Sequence, residues 1–190
     1  MKKFLGVLLV VAGCLVWDRT AQAQETNVPP TRIEAFEVQT GVILLKAVGH
    51  VGEISAKGSI ISVRYKETTD ARTGRKEHGM AIAVKEGDQP EDVTFIDYDE
   101  VDGLLDGLNY INTVTFTVTP LPTFEASYMT RGGLHIAAYT SNRRSGTIQA
   151  YLQSCHMVKT RLLLTPGQVS QLQSLIQQAR NALMALRENK

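Results

Sequence analysis

The sequence predicts an α+β fold in which two ββββα half-repeats, each an antiparallel four-stranded sheet covered by one helix, pack together as one domain. Three observations predict it. Two amphipathic helical segments, at 97–111 and 165–186, open on the same kind of cap. Four apolar or β-branched runs precede each helix, and the two sets stand roughly 70 residues apart. At 190 residues, with 43% hydrophobic and 21% charged side chains, the chain has the make-up of a folded protein rather than a disordered or membrane one.

Residues 1–23 read as a cleavable secretory signal. Lys2 and Lys3 form a positive start, Phe4 to Trp17 an apolar run, and Ala21-Gln22-Ala23 a small-x-small site that leaves Gln24 first in the mature chain. The run is shorter than the ~20 residues a membrane-spanning helix needs, and no later segment is long and apolar enough. The expected location is the periplasm or the extracellular space. Val11-Ala12-Gly13-Cys14 resembles a bacterial lipoprotein box, so anchoring through an acylated Cys14 is the alternative, against which Leu15-Val16-Trp17 prolong the apolar run. Cleavage after Ala23 removes Lys2, Lys3, Asp18 and Arg19, taking 20 basic and 19 acidic residues to 17 and 18, a formal charge of −1. No global charge steers the mature chain to polyanions. Cys155 is then the one remaining cysteine, which excludes an internal disulfide.

Residues 24–31, with Pro29 and Pro30, read as an extended lead-in. The first half spans 32–112. Its strand runs lie near 41–54, 58–66, 78–86 and 92–97, where Ile61, Val63, Tyr65 and then Met80, Ile82, Val84 alternate at period two. A long turn, Thr68 to Glu77, separates the second and third. Asp97-Tyr98-Asp99-Glu100 reads as a capping box, and Val101, Leu104, Leu105, Leu108 and Ile111 as the stripe of the helix behind it.

The second half, 113–190, has runs near 113–130, 133–140, 146–153 and 157–164, the first broken by Pro120-Leu121-Pro122. A short turn, Ser141 to Gly146, takes the place of the long one. Thr165-Pro166-Gly167-Gln168 is a capping box with proline at the first helical position, and Val169, Leu172, Ile176, Ala179, Leu183 and Leu186 follow at helical spacing. A shift of 68 positions lays Asp97 on Thr165, Glu100 on Gln168, Val101 on Val169, Leu104 on Leu172 and Leu108 on Ile176.

In element order, this layout resembles that of the Whirly and PUR single-stranded nucleic-acid-binding proteins over most of the mature chain, without shared motif residues. The resemblance implies a duplicated sheet-and-helix architecture. The alternative is a pleckstrin-homology-like β-barrel closed by a C-terminal helix, which leaves 97–111 as an insertion.

The chemistry-bearing residues form no recognisable constellation. Read as a calcium loop from Asp97, the acidic run fails where Val101, Asp102 and Leu108 stand in place of a polar ligand, glycine and glutamate. His50, His78, His135, Cys155 and His156 lack zinc spacing, and neighbours Cys155 and His156 point to opposite faces of a strand. No nucleophile elbow, phosphate loop or dinucleotide fingerprint occurs, and Arg131-Gly132-Gly133 is turn chemistry. The expectation is a non-catalytic binding module without cofactor or metal, taking a protein, glycan or lipid partner in preference to nucleic acid. The alternative is an anion or single-stranded nucleic-acid binder using Arg72, Arg75 and Lys76 in the long turn and Arg143 and Arg144 in the short one. The few aromatic residues weigh against base stacking.

Overall fold

The computed structural model describes residues 30–140, 146–154 and 161–188. The signal, most of the lead-in, Cys14, Arg143, Arg144, Cys155 and His156 lie outside these residues. Among the described residues, two antiparallel sheets and three helices make up the fold. The first sheet holds β1 (Leu44–Ala56), β2 (Ser59–Asp70), β3 (Lys76–Glu86) and β4 (Asp92–Asp97) in chain order. The second holds β5 (Phe124–Met129), β6 (Leu134–Thr140), β7 (Gln149–Ser154) and β8 (Leu162–Leu164), again in chain order. The helices are α1 (Arg32–Glu37), α2 (Val101–Thr113) and α3 (Pro166–Glu188). Among the described residues neither sheet closes on itself, so the barrel alternative does not hold.

Period-two alternation fixes the inner face of each sheet. Ile61, Val63, Met80, Ile82 and Ile96 from the first meet Leu134, Ile136, Leu152, Leu162 and Leu164 from the second in one buried cluster. The helical stripes complete it, with Val101, Leu104, Leu108 and Ile111 from α2 and Val169, Leu172, Ile176, Ala179 and Leu183 from α3. The β1–β2 hairpin turns through Lys57 and Gly58, both at positive φ (48° and 86°), the two-residue turn whose twist suits paired strands.

Each helix was expected to cover the sheet of its own half; instead each lies mainly on the other. α2 packs against β5 and β6, and α3 against β1 and β2. Gly103 and Gly107, one helical turn apart, form a notch over the Tyr128 ring, for a Cβ on Gly107 would sit 2.7–2.9 Å from Tyr128 Cγ, Cδ2 and Cβ. Leu175 of α3 lies over Gly52 of β1, and the Gln168 side-chain amide donates to the Ser55 carbonyl at 2.8 Å. An apolar stripe specifies burial but not a partner, and here the notch and the bare glycine select it. The two helices run antiparallel, tied by Asn112 to Ser170 at one end and Asp102 to Arg180 at the other.

Three local expectations also change. The Thr165–Gln168 capping box is present in both directions, with Gln168 N–H donating to Thr165 Oγ1 and Thr165 N–H to Gln168 Oε1. Asp97, by contrast, makes no cap bond to α2, which is entered through a 3-10 turn, Tyr98–Glu100. Its fully buried carboxylate accepts instead from the backbone N–H groups of Arg32 and Ile33, capping α1 from 65 residues away. The α1 helix itself was unforeseen. Of the apolar run 113–130, only Phe124–Met129 pairs as strand; Phe116–Val118 forms a 3-10 turn, and the prolines keep 120–122 out of the ladder.

Candidate functional site

The basic turn between β2 and β3 is largely engaged with its own surroundings. The Asp70 carboxylate accepts from the N–H groups of Arg72 and Thr73 and from the Thr73 hydroxyl, and these bonds hold its pKa below the ordinary value. Lys76 pairs with Glu67 at 2.9 Å, and the Arg75 guanidinium lies 4.6 Å from the centroid of the Phe36 ring. Arg72 is exposed at the tip. Arg143 and Arg144 lie outside the described residues, so the facing half of an anion groove is not placed.

A denser polar cluster ties α1 to the outer face of the first sheet. The Glu37 carboxylate holds Lys66 at 2.6 Å, Lys46 at 2.9 Å and the Thr68 hydroxyl at 2.7 Å. Burial works to raise the Glu37 pKa, but these partners outweigh it and hold the group below the usual carboxylate value. At the far end of α1, Arg32 and Arg131 both approach Asp97 and Asp99. On the inner face, His78 Nε2 stands 2.9 Å from Glu67. Burial pushes the Glu67 pKa up, while bonds from Lys76 and His78 bring it below its ordinary value. These groups satisfy one another, and the cluster reads as a clasp rather than a reaction centre. Among the described residues no group of three His, Cys, Asp or Glu is placed to hold a metal ion, and His50, His78 and His135 sit on three different strands.

A larger concavity lies elsewhere, an open groove of about 610 Å³ between α2, β5 and the 114–123 connection. Tyr110, Val118, Leu121, Phe124, Ala126 and Tyr128 line it, and of these Tyr110, Val118 and Leu121 are 54%, 45% and 63% exposed. Residues from both faces of β5 border the groove, which therefore follows the edge of the strand rather than one face. Thr130 N–H donates to the Leu134 carbonyl, so by alternation Phe124, Ala126 and Tyr128 direct their main-chain groups at β6. Glu125, Ser127 and Met129 direct theirs outward, along the open edge. Burial raises the Tyr128 pKa, and the negative charges of Glu100 and Asp106 add to the effect.

None of the groove residues stood out in the sequence as functional. The available signal was apolar Val118 and Leu121 in a proline-broken stretch that could not be a central strand. Comparison with models of known families and with curated proteins finds no match. Among the described residues no helix is long and apolar enough to cross a membrane.

Proposed function

We propose that this chain is an exported, non-catalytic binding module, formed by duplication of a ββββα unit, that takes an extended segment of a protein partner into the groove beside β5. The groove carries the reading: outward main-chain donors and acceptors on Glu125, Ser127 and Met129 run beside apolar Tyr110, Val118 and Leu121. An added strand takes its affinity from such a ladder and its specificity from alternate side chains entering the apolar wall. Glu125 and the nearby Asp106 favour a segment with a basic residue beside its apolar ones. The shared order of four strands then a helix, with the 68-residue correspondence of the helical stripes, supports duplication. Export rests on the composition of residues 1–23, with Cys14 as the site of a lipid anchor on the alternative route.

Anion binding through the β2–β3 turn is the weaker reading, because Arg75 and Lys76 already have partners. A photo-crosslinking side chain at position 121, carried in producing cells, is expected to capture a discrete protein partner, while one at exposed position 88 is not. Ser127→Pro removes one outward N–H and is sterically suited to an edge strand, so it should abolish capture with the fold intact. Equal capture at 121 and 88, or capture untouched by the proline, would overturn the assignment.

A further inference from the structure

We propose that β1 is a self-association surface, through which two copies of this chain pair their β1 strands antiparallel and join their first sheets into one continuous sheet. The proposal is independent of the β5 groove. β1 is an edge strand whose first stretch carries Leu45 and Val48 at 65% and 59% exposure, with Ile43 just ahead of it at 77%. Exposed apolar edges invite strand pairing and are ordinarily blunted by lysine, proline or a bulge. The bulge in β1 falls between His50 and Gly52, which leaves 44–50 in unbroken register. The one lysine there, Lys46, is held by Glu37 at 2.9 Å.

The register assigns the free groups. Ala71 N–H donates to the Ile43 carbonyl, so odd residues from 43 to 49 face β2 while Leu44, Lys46, Val48 and His50 present their N–H and C=O to the open side. Side-chain faces must match across a twofold axis normal to the sheet, which restricts the pairing to registers centred on one residue. Centring on Lys46 opposes two lysines. Centring on Ala47 sets Lys46 against Val48 of the second copy and Leu44 against His50, both pairs carrying outward groups, with no like charges opposed. On the inner face it sets Leu45 against Gly49, whose missing side chain is replaced by the Tyr65 ring, since a Cβ there would lie 2.0 Å from Tyr65 Cζ. The second copy's Leu45 thus meets an aromatic surface. Self-pairing thereby satisfies the backbone, apolar and charge patterns of one seven-residue stretch together.

Mass measurement by light scattering over a concentration series, on the protein as recovered from producing cells, tests this. Wild type should run as a dimer that dissociates on dilution. Val48→Lys, opposite the second copy's Lys46, should weaken association roughly tenfold or more, while Val48→Glu at the same exposed site should keep the dimer. Ala47→Cys, at the twofold, should form an intermolecular disulfide under air in a Cys155→Ser background, because directly opposed residues without mutual hydrogen bonds bring their Cα atoms to ~4.5 Å. A wild type that stays monomeric throughout, including one that accepts only foreign strands, overturns the proposal. So does equal behaviour of the two Val48 variants, or an Ala47→Cys protein that does not cross-link.

Discussion

Two glycines in one helix ordinarily weaken it, by about 1 kcal/mol each relative to alanine. In α2 their absence of a side chain is what admits Tyr128, and the two positions are unequal. A Cβ at Gly107 meets the ring carbons and the Cβ of Tyr128 at 2.7–2.9 Å, whereas at Gly103 its nearest contact is the terminal hydroxyl at 2.8 Å, with the ring carbons beyond 3.6 Å. The end of a side chain can tilt away; its root cannot. Gly107→Ala should therefore destabilise by roughly 1–3 kcal/mol in urea unfolding despite its gain in helix propensity, while Gly103→Ala comes out near neutral. Adding Tyr128→Ala should erase most of the difference between the two. Asp97 teaches a related lesson: its position three residues ahead of Glu100 reads as a capping box for α2, but it makes no bond to that helix and caps α1 instead, reached through tertiary contact. Local spacing identifies a residue fit to cap and leaves open which N–H groups it will meet.

At the scale of elements, α1 is a six-residue helix whose docking depends on carboxylates at both ends. Glu37 is the end that titrates informatively. Its folded-state pKa lies below the unfolded value, so the stability it contributes is fully present above the unfolded value of about 4.3 and is lost as pH falls through the lower folded one. Protonation leaves Lys66, only 8% exposed, with its charge no longer balanced by Glu37. Amide-exchange protection of α1 should accordingly drop below about pH 4.3. In Glu37→Gln it should be lower at neutral pH and flatter across the same window; an unchanged profile in that variant would show that the clasp does not hold α1. The helix was legible in part, for Thr31 and Glu34 are spaced as a capping box and form one. Pro29 and Pro30 drew the whole approach toward an extended reading, and six residues are too few to show a helical period. The β-strands were easier, because the alternation of Ile61, Val63 and Tyr65 in β2 and of Met80, Ile82 and Val84 in β3 leaves one consistent inner face. The groove was not legible, since an edge strand and the loop across from it become neighbours only after both sheets have formed.

The molecule as a whole is held together by an exchange of helices. α2 follows the first sheet in sequence but lies on the second, and α3 follows the second but lies on the first. Periodicity in the chain revealed both stripes and even their mutual correspondence, yet nothing in a stripe of Val169, Leu172, Ile176 and Leu183 names the surface it will meet. The consequence for stability is definite. A fragment of 30–112 would leave Ile61, Val63, Met80 and Ile82 without the α3 stripe that buries them, and a fragment of 113–190 would leave Leu134 and Ile136 without α2. Chains of roughly 80 residues are marginal even with a complete core. Neither fragment should therefore unfold cooperatively alone, as followed by circular dichroism against urea. Mixed in equal amounts, the two should recover the helical signal and a single cooperative transition, because the buried cluster shared by both sheets and both helices can re-form, with only the bond between residues 112 and 113, in the last turn of α2, missing. A sigmoidal transition in either fragment by itself would mean that its own sheet and helix suffice, with the helix falling back onto the nearer sheet.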